Sequence, residues 1–118
     1  MSMIKFAASF AFLTLSIPAI ACDYPESADI PNGSTATREE MLAGQQAVKD
    51  YIAAMEEYLA CIEEEEEATL ETLSDISDEE RVNRERALTM KHNAAVEEME
   101  IVAARFNEEV RVYRAQSE

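Results

Sequence analysis

Two cysteines, one histidine and an unbroken run of five glutamates are the residues of this 118-residue chain whose types could do chemistry. Cys22 and Cys61 could bond to each other, or the Cys22 thiol could carry a lipid. His92, the only imidazole, could serve as a base or a metal ligand. Glu63 to Glu67 could attract a hard cation, which takes oxygen donors. Met41, Met55, Met90 and Met99 could offer thioethers to a soft metal.

Most of these possibilities weaken on inspection of spacing. A lone His cannot supply a Ser-His-Asp or Cys-His set with both thiols otherwise committed, so no catalytic residue is expected and the chain reads as a non-enzyme. His92 falls on an apolar stripe, where it reads as a boundary residue of a helix interface. Successive glutamates on a helix splay around its axis, whereas a calcium loop gathers Asp, Asn and Gly in a turn. The run therefore reads as a mostly solvated face, and Glu56, Glu57, Glu97, Glu98 and Glu100 read as outer faces for the same reason. Met41, Met55 and Met99 keep helical spacing and read as core. No metal and no cofactor is expected.

Composition closes further options. The 25 acids against 10 basic residues leave a formal charge of -15. Nucleic acid and anionic membrane surfaces both require a basic footprint, so neither is an expected partner. Two glycines cannot supply a phosphate-cradling loop and the turns of an α/β enzyme. An apolar share of 47% is too high for a disordered acidic tail.

Residues 1–21 read as a cleaved signal peptide. Lys5 precedes the apolar stretch Phe6 to Ile17, Pro18 ends it, and Ala19-Ile20-Ala21 is a small-x-small cleavage site. The apolar stretch is too short to span a bilayer comfortably, and the mature chain carries no expected transmembrane span. Removing 21 residues, with Lys5 the one charge among them, leaves 97 residues and takes the net charge from -15 to -16. The expected address is periplasmic or secreted. Cys22 would then be the first residue. A lipoprotein would acylate it, making an outer-membrane anchor, but the usual Leu three residues earlier is replaced by Ala19. Two thiols in a short exported chain ordinarily pair, so a Cys22–Cys61 disulfide is the preferred reading.

The elements that must position these residues are two. Residues 22–36 hold Pro25, Pro31 and Gly33 and read as extended chain and turns, with Pro31-Asn32-Gly33 a turn signal. After Gly44 neither Gly nor Pro occurs in the remaining 74 residues, and strong helix formers dominate. An all-α fold follows: a helical hairpin of two long antiparallel helices over about 37–73 and 78–114, with the extended N-terminal segment packed alongside and no β-sheet. Thr37 with Glu40, and Ser77 with Glu80, form capping boxes. Met41, Val48, Met55 and Ile62 recur every seven residues, flanked by Tyr51, Ile52, Tyr58 and Leu59, with Leu73 on the same edge. The facing stripe is Leu88, His92, Ala95, Val96, Met99, Val102, Ala103, Phe106, Val110 and Tyr113. Residues 73–77 are too short a hinge for anything but an antiparallel return.

If the chain folds back between Asp75 and Ile76, residue i faces residue 151 - i. Glu63 to Glu67 then meet the stretch holding Arg84, Arg86 and Lys91, and one or two of the run can pair inward. Cys61 lies roughly 36 Å along its helix, and the fifteen residues before Thr37 reach about 50 Å if extended, so Cys22 can return to it. Such a bridge could contribute up to about 4 kcal/mol, which matters for a thin hairpin of this size.

One strip is left over. Met90, Ile101 and Val112 are spaced by eleven and line one side of the second helix away from the seam, with Ala94 and Ala104 near them. This strip, Met90, Ala94, Ile101 and Val112, could take the N-terminal segment, a client, or a second hairpin in a four-helix bundle. The Cys start, the IPNG turn and the helix VKDYIAAMEEYLAC, together residues 22–62, resemble a group of small uncharacterised secreted proteins of Gram-negative bacteria. The resemblance implies no activity and no functional residues; it favours a periplasmic address and the Cys22–Cys61 pair. Two functions follow as expectations. The first is an exported, non-enzymatic helical-hairpin module of the cell envelope that binds an unidentified protein partner or itself. The second is an acidic binder of cations or cationic ligands.

Overall fold

The computed structural model describes residues 22–116. The expected signal segment, residues 1–21, lies outside the described residues. The described chain is all-helical: α1 spans Arg38–Thr72 and α2 spans Asp78–Gln116. At 1.5 Å per residue they are about 52 and 58 Å long. α1 agrees with the expected 37–73 once the caps are set aside, because Thr37 and Leu73 are its N-cap and C-cap. α2 runs two residues beyond the expected 114, as no Gly or Pro stops it.

Each end has a local cause. Thr37 Oγ1 accepts from the Glu40 N–H at 3.1 Å, and the Thr37 N–H donates to Glu40 Oε2 at 3.3 Å, so the first capping box is complete. Glu39 and Glu40 also sit at the positive end of the α1 dipole. Ser77 Oγ accepts from the Glu80 N–H at 3.1 Å at the start of α2. Leu73, in extended geometry at φ -100°, donates to the Leu70 carbonyl and ends α1. The five residues 73–77 reverse the chain.

The seam is the one expected from spacing. Met41, Val48, Tyr51, Met55, Ala95, Val102 and Phe106 form one buried cluster, with Ile52, Tyr58, Leu59, Met99, Val110 and Tyr113 packed against it. Ile62 is buried nearer the hinge. The pairing of Arg84 with Glu66, whose numbers sum to 150, falls within one position of the expected map. Met55 and Val102 are the largest side chains that are fully enclosed.

A strap, residues 22–37, adds a third layer over part of the hairpin. Cys22 and Cys61 lie at disulfide distance, with Sγ–Sγ 2.00 Å and Cα–Cα 5.7 Å. Tyr24 stands edge-on to Tyr58 with ring centroids 5.0 Å apart. Ala28, Ile30 and Ala36 rest on the core cluster. The path is close to fully extended. From Gly44 to Cys61 α1 rises about 25 Å, and the nine steps from Cys22 to Pro31 cover at most about 30 Å.

Both glycines of the chain are where the strap meets the helices. A Cβ on Gly44 would lie 2.5 Å from Pro31 Cδ and 2.7 Å from Pro31 Cγ, so the Pro31 ring sits directly on the α1 backbone. A Cβ on Gly33 would run into the Glu109 carbonyl of α2, and the Gly33 N–H donates to Glu109 Oε2 at 2.6 Å. Neither glycine adopts positive φ. The Pro31-Asn32-Gly33 turn is real but is closed by Asn32: its carbonyl accepts from Thr35 and Ala36, and its Oδ1 accepts from the Ser34 N–H.

Candidate interaction surface

The residues first suspected of chemistry have structural surroundings. His92 is half-buried on the α2 side of the seam, the boundary position expected of it. Among the described residues no group of three or more His, Cys, Asp and Glu side chains could hold a metal ion. Within the glutamate run only Glu66 turns inward; Glu63, Glu64, Glu65 and Glu67 are exposed. Arg84 grips Glu66 with both prongs, Nε to Oε1 at 2.9 Å and Nη2 to Oε2 at 3.0 Å. Arg86 and Lys91, the other expected basic neighbours, make no ion pair with the run among the described residues. Arg86 faces solvent, and Lys91 joins Arg84, Glu65 and Glu66 around a 250 Å³ cleft.

The leftover strip of α2 is largely bare. Met90 is 66% exposed and Ile101 37%, and Ala94 and Ala104 are exposed beside them. Val112 is half-buried, so the strip fades toward the C-terminal end of the helix. Eleven residues turn a helix by three revolutions and about 20°, which keeps Met90, Ile101 and Val112 on one side. The strap runs through the Tyr24–Tyr58 pair, the core cluster and Gly44, and its residues 27–32 line a cleft with Arg105, Glu108 and Glu109 of α2, beside the Ile101 end of the strip. The strap leaves Met90 and Ala94, toward the hinge, exposed.

Spacing alone did not mark a second apolar surface, at the open end of the hairpin. Met41, Leu42, Phe106, Val110 and Tyr113 line a groove of about 210 Å³, with Arg38, Gln45 and Arg114 at its edge. Leu42 is 52% exposed there. The signal that could have found it is the register map itself, which sets Arg38 opposite Tyr113 and gathers two of the few basic residues around an apolar cluster with Leu42 exposed.

Where the strap crosses α1, its Tyr24 meets Tyr58 and lies close to Tyr51. Tyr51 is 4% exposed, and its hydroxyl is buried without a hydrogen-bond partner. Burial pushes its pKa above the usual tyrosine value, with Tyr24 and Glu98 adding to the effect. Tyr24 is raised as well, by desolvation first and then by Glu98 and Tyr58. Glu98 was expected on an outer face; it is half-buried instead, because the strap carries Tyr24 to its side of the hairpin. On the exposed face of α2, Arg111 pairs with Glu108 one turn away and holds that carboxyl below its ordinary range by hydrogen bond and charge.

The hairpin is thus a stapled scaffold with two uncovered apolar surfaces. Among the described residues no helix is long and apolar enough to cross a membrane. No protein-family model, no curated protein and no solved structure matches the chain.

Proposed function

We propose that this chain is an exported, non-enzymatic helical-hairpin module of the cell envelope, working by association with a protein partner or with a second copy of itself. The observation that carries the reading is the uncovered strip of α2, where Met90 and Ile101 stand in solvent on a helix whose opposite face is already filled. A helix with apolar residues on two sides calls for two neighbours, and α1 supplies one. The Cys pair at disulfide distance supports an oxidising compartment, hence the periplasm or the exterior; removal of residues 1–21 with Cys22 as first residue is part of the same proposal. Pairing with Cys61 also leaves Cys22 no thiol to acylate, which weighs against the lipoprotein alternative.

Light scattering on residues 22–118 tests self-association. A dimer that Met90→Asp with Ile101→Asp disperses supports the second-copy form. The competing reading, an acidic cation or cationic-ligand binder, requires stoichiometric, saturable heat with Ca²⁺, Zn²⁺ or a polyamine that persists in moderate salt. Heat that salt abolishes is screening. A strictly monomeric chain with such a saturable site would replace the proposed function with this one.

A further inference from the structure

One of the four outward members of the glutamate run, Glu65, has its Oε2 3.2 Å from Cys22 Sγ. A disulfide sulfur carries no proton, so this is a carboxylate set against the bridge and not a hydrogen bond. Helical spacing brings more charge to the place. Glu57 is one turn before Cys61, and Glu64 and Glu65 are one turn after it, all exposed, while Asp23 adjoins Cys22 in the chain. Lys91 shares a cleft with Glu65 but makes no ion pair with it among the described residues. Cys22 and Cys61 are only half-buried, so solvent thiols can reach them.

We propose that Glu65 protects the Cys22–Cys61 bridge from reduction by anionic thiols. Reduction starts when a thiolate bonds to one cysteine sulfur as the S–S bond breaks and the other sulfur leaves as a thiolate; a second thiolate then bonds to the reagent's sulfur in the mixed disulfide, expelling the cysteine as a thiolate and leaving as the reagent's own disulfide. Glu65 opposes both routes. A thiolate attacking Cys22 approaches a carboxylate at contact distance. A thiolate attacking Cys61 must expel Cys22 as an anion beside that same carboxylate, which makes it a poorer leaving group. The strap is tied down by this bridge at one end and by the α1 cap at the other, so the guard keeps Tyr24 on Tyr58 and Pro31 on Gly44.

The test is the rate of reduction of oxidised residues 22–118 by two thiols, 2-mercaptoethanesulfonate and cysteamine, each expressed per thiolate, in 10 mM and 1 M NaCl. Two unit charges about 6 Å apart, at an effective dielectric of about 40 to 80, change a rate about three- to tenfold. Glu65→Gln is expected to speed the sulfonate thiol by that factor at low salt, to speed the ammonium thiol less, and to lose most of the difference in 1 M salt. Glu79→Gln, which removes the same charge at the hinge end of α2, is expected to change neither rate. Far-UV circular dichroism confirms that both variants keep their helices. An acceleration by Glu65→Gln that is no larger than that of Glu79→Gln, or equal for both thiols and insensitive to salt, overturns the proposal.

Discussion

Replacing Gly44 with Ala sets two effects of opposite sign against each other. In a bare helix the change is favourable: Ala outranks Gly by about 1 kcal/mol through backbone entropy. In this hairpin the new methyl would sit 2.5 Å from Pro31 Cδ, 2.7 Å from Pro31 Cγ and 3.3 Å from Phe106 Cε2. A carbon pair rests at about 3.5–4.0 Å, so the ring must retreat by roughly 1 Å. It cannot swing away freely, because Cys22–Cys61 anchors the strap on one side and the Asn32 turn on the other. Overpacking of this size costs about 1–3 kcal/mol, so Gly44→Ala should be neutral to destabilising, by up to about 2 kcal/mol net. Pro31→Ala removes both clashing ring atoms. In that background Gly44→Ala should stabilise by about 1 kcal/mol, a swing of about 1–3 kcal/mol in the double-mutant cycle. Urea unfolding followed by circular dichroism measures all four chains; each 1 kcal/mol also moves Tm by about 4 °C or more in a domain of this size. An effect of Gly44→Ala with the same sign and size in both backgrounds would refute the seating of Pro31 on Gly44.

Three further outcomes are expected. A double-mutant cycle on Arg84→Ala and Glu66→Gln should give a coupling of about 1 kcal/mol or less, smaller in high salt, since both partners are part-exposed. Tyrosine absorbance should rise at higher pH in the folded chain than in urea, because Tyr24 and Tyr51 are shifted upward by the fold while unfolded tyrosines titrate near pH 10. The neutral forms stabilise the fold below that value, and stability should fall as pH climbs through the raised pKa values; identical titration curves for the folded and the urea-unfolded chain contradict this. Mass spectrometry of the exported chain should find an N-terminus at Cys22 without a diacylglyceryl group and two hydrogens short of the reduced mass.

Much of this architecture could be read from residue spacing. All ten expected α2 seam positions, Leu88 through Tyr113, are buried or half-buried, because a 3.6-residue period with no breaker has one geometric solution. The Cys22–Cys61 reach was also computable, since helix rise and extended-chain length are fixed quantities. What spacing missed depends on the path of the strap. Gly44 looked like the last breaker before a long helix, and only the Pro31 ring lying on it explains a glycine there. Gly33 was legible only as part of a turn signal, whereas its bare Cα is what lets the chain touch Glu109, at a φ that is not positive. Glu98 looked solvated because nothing in α2 alone brings Tyr24 to it. Among the basic residues, the period brought Arg84, Arg86 and Lys91 to the right level; Arg84 and Lys91 share a face and line one cleft with Glu66, Arg86 turns to solvent, and Arg84 is the one that pairs.

The most direct measurement of the interaction role is site-specific photo-crosslinking in the envelope of producing cells. A crosslinker in place of Met90 or Ile101 should give a discrete adduct, either a doubled chain or one defined partner, and Ile101→Asp should remove the adduct formed at position 90. Adducts at 90 and 101 no stronger than those from a crosslinker at exposed Glu57 would contradict the account.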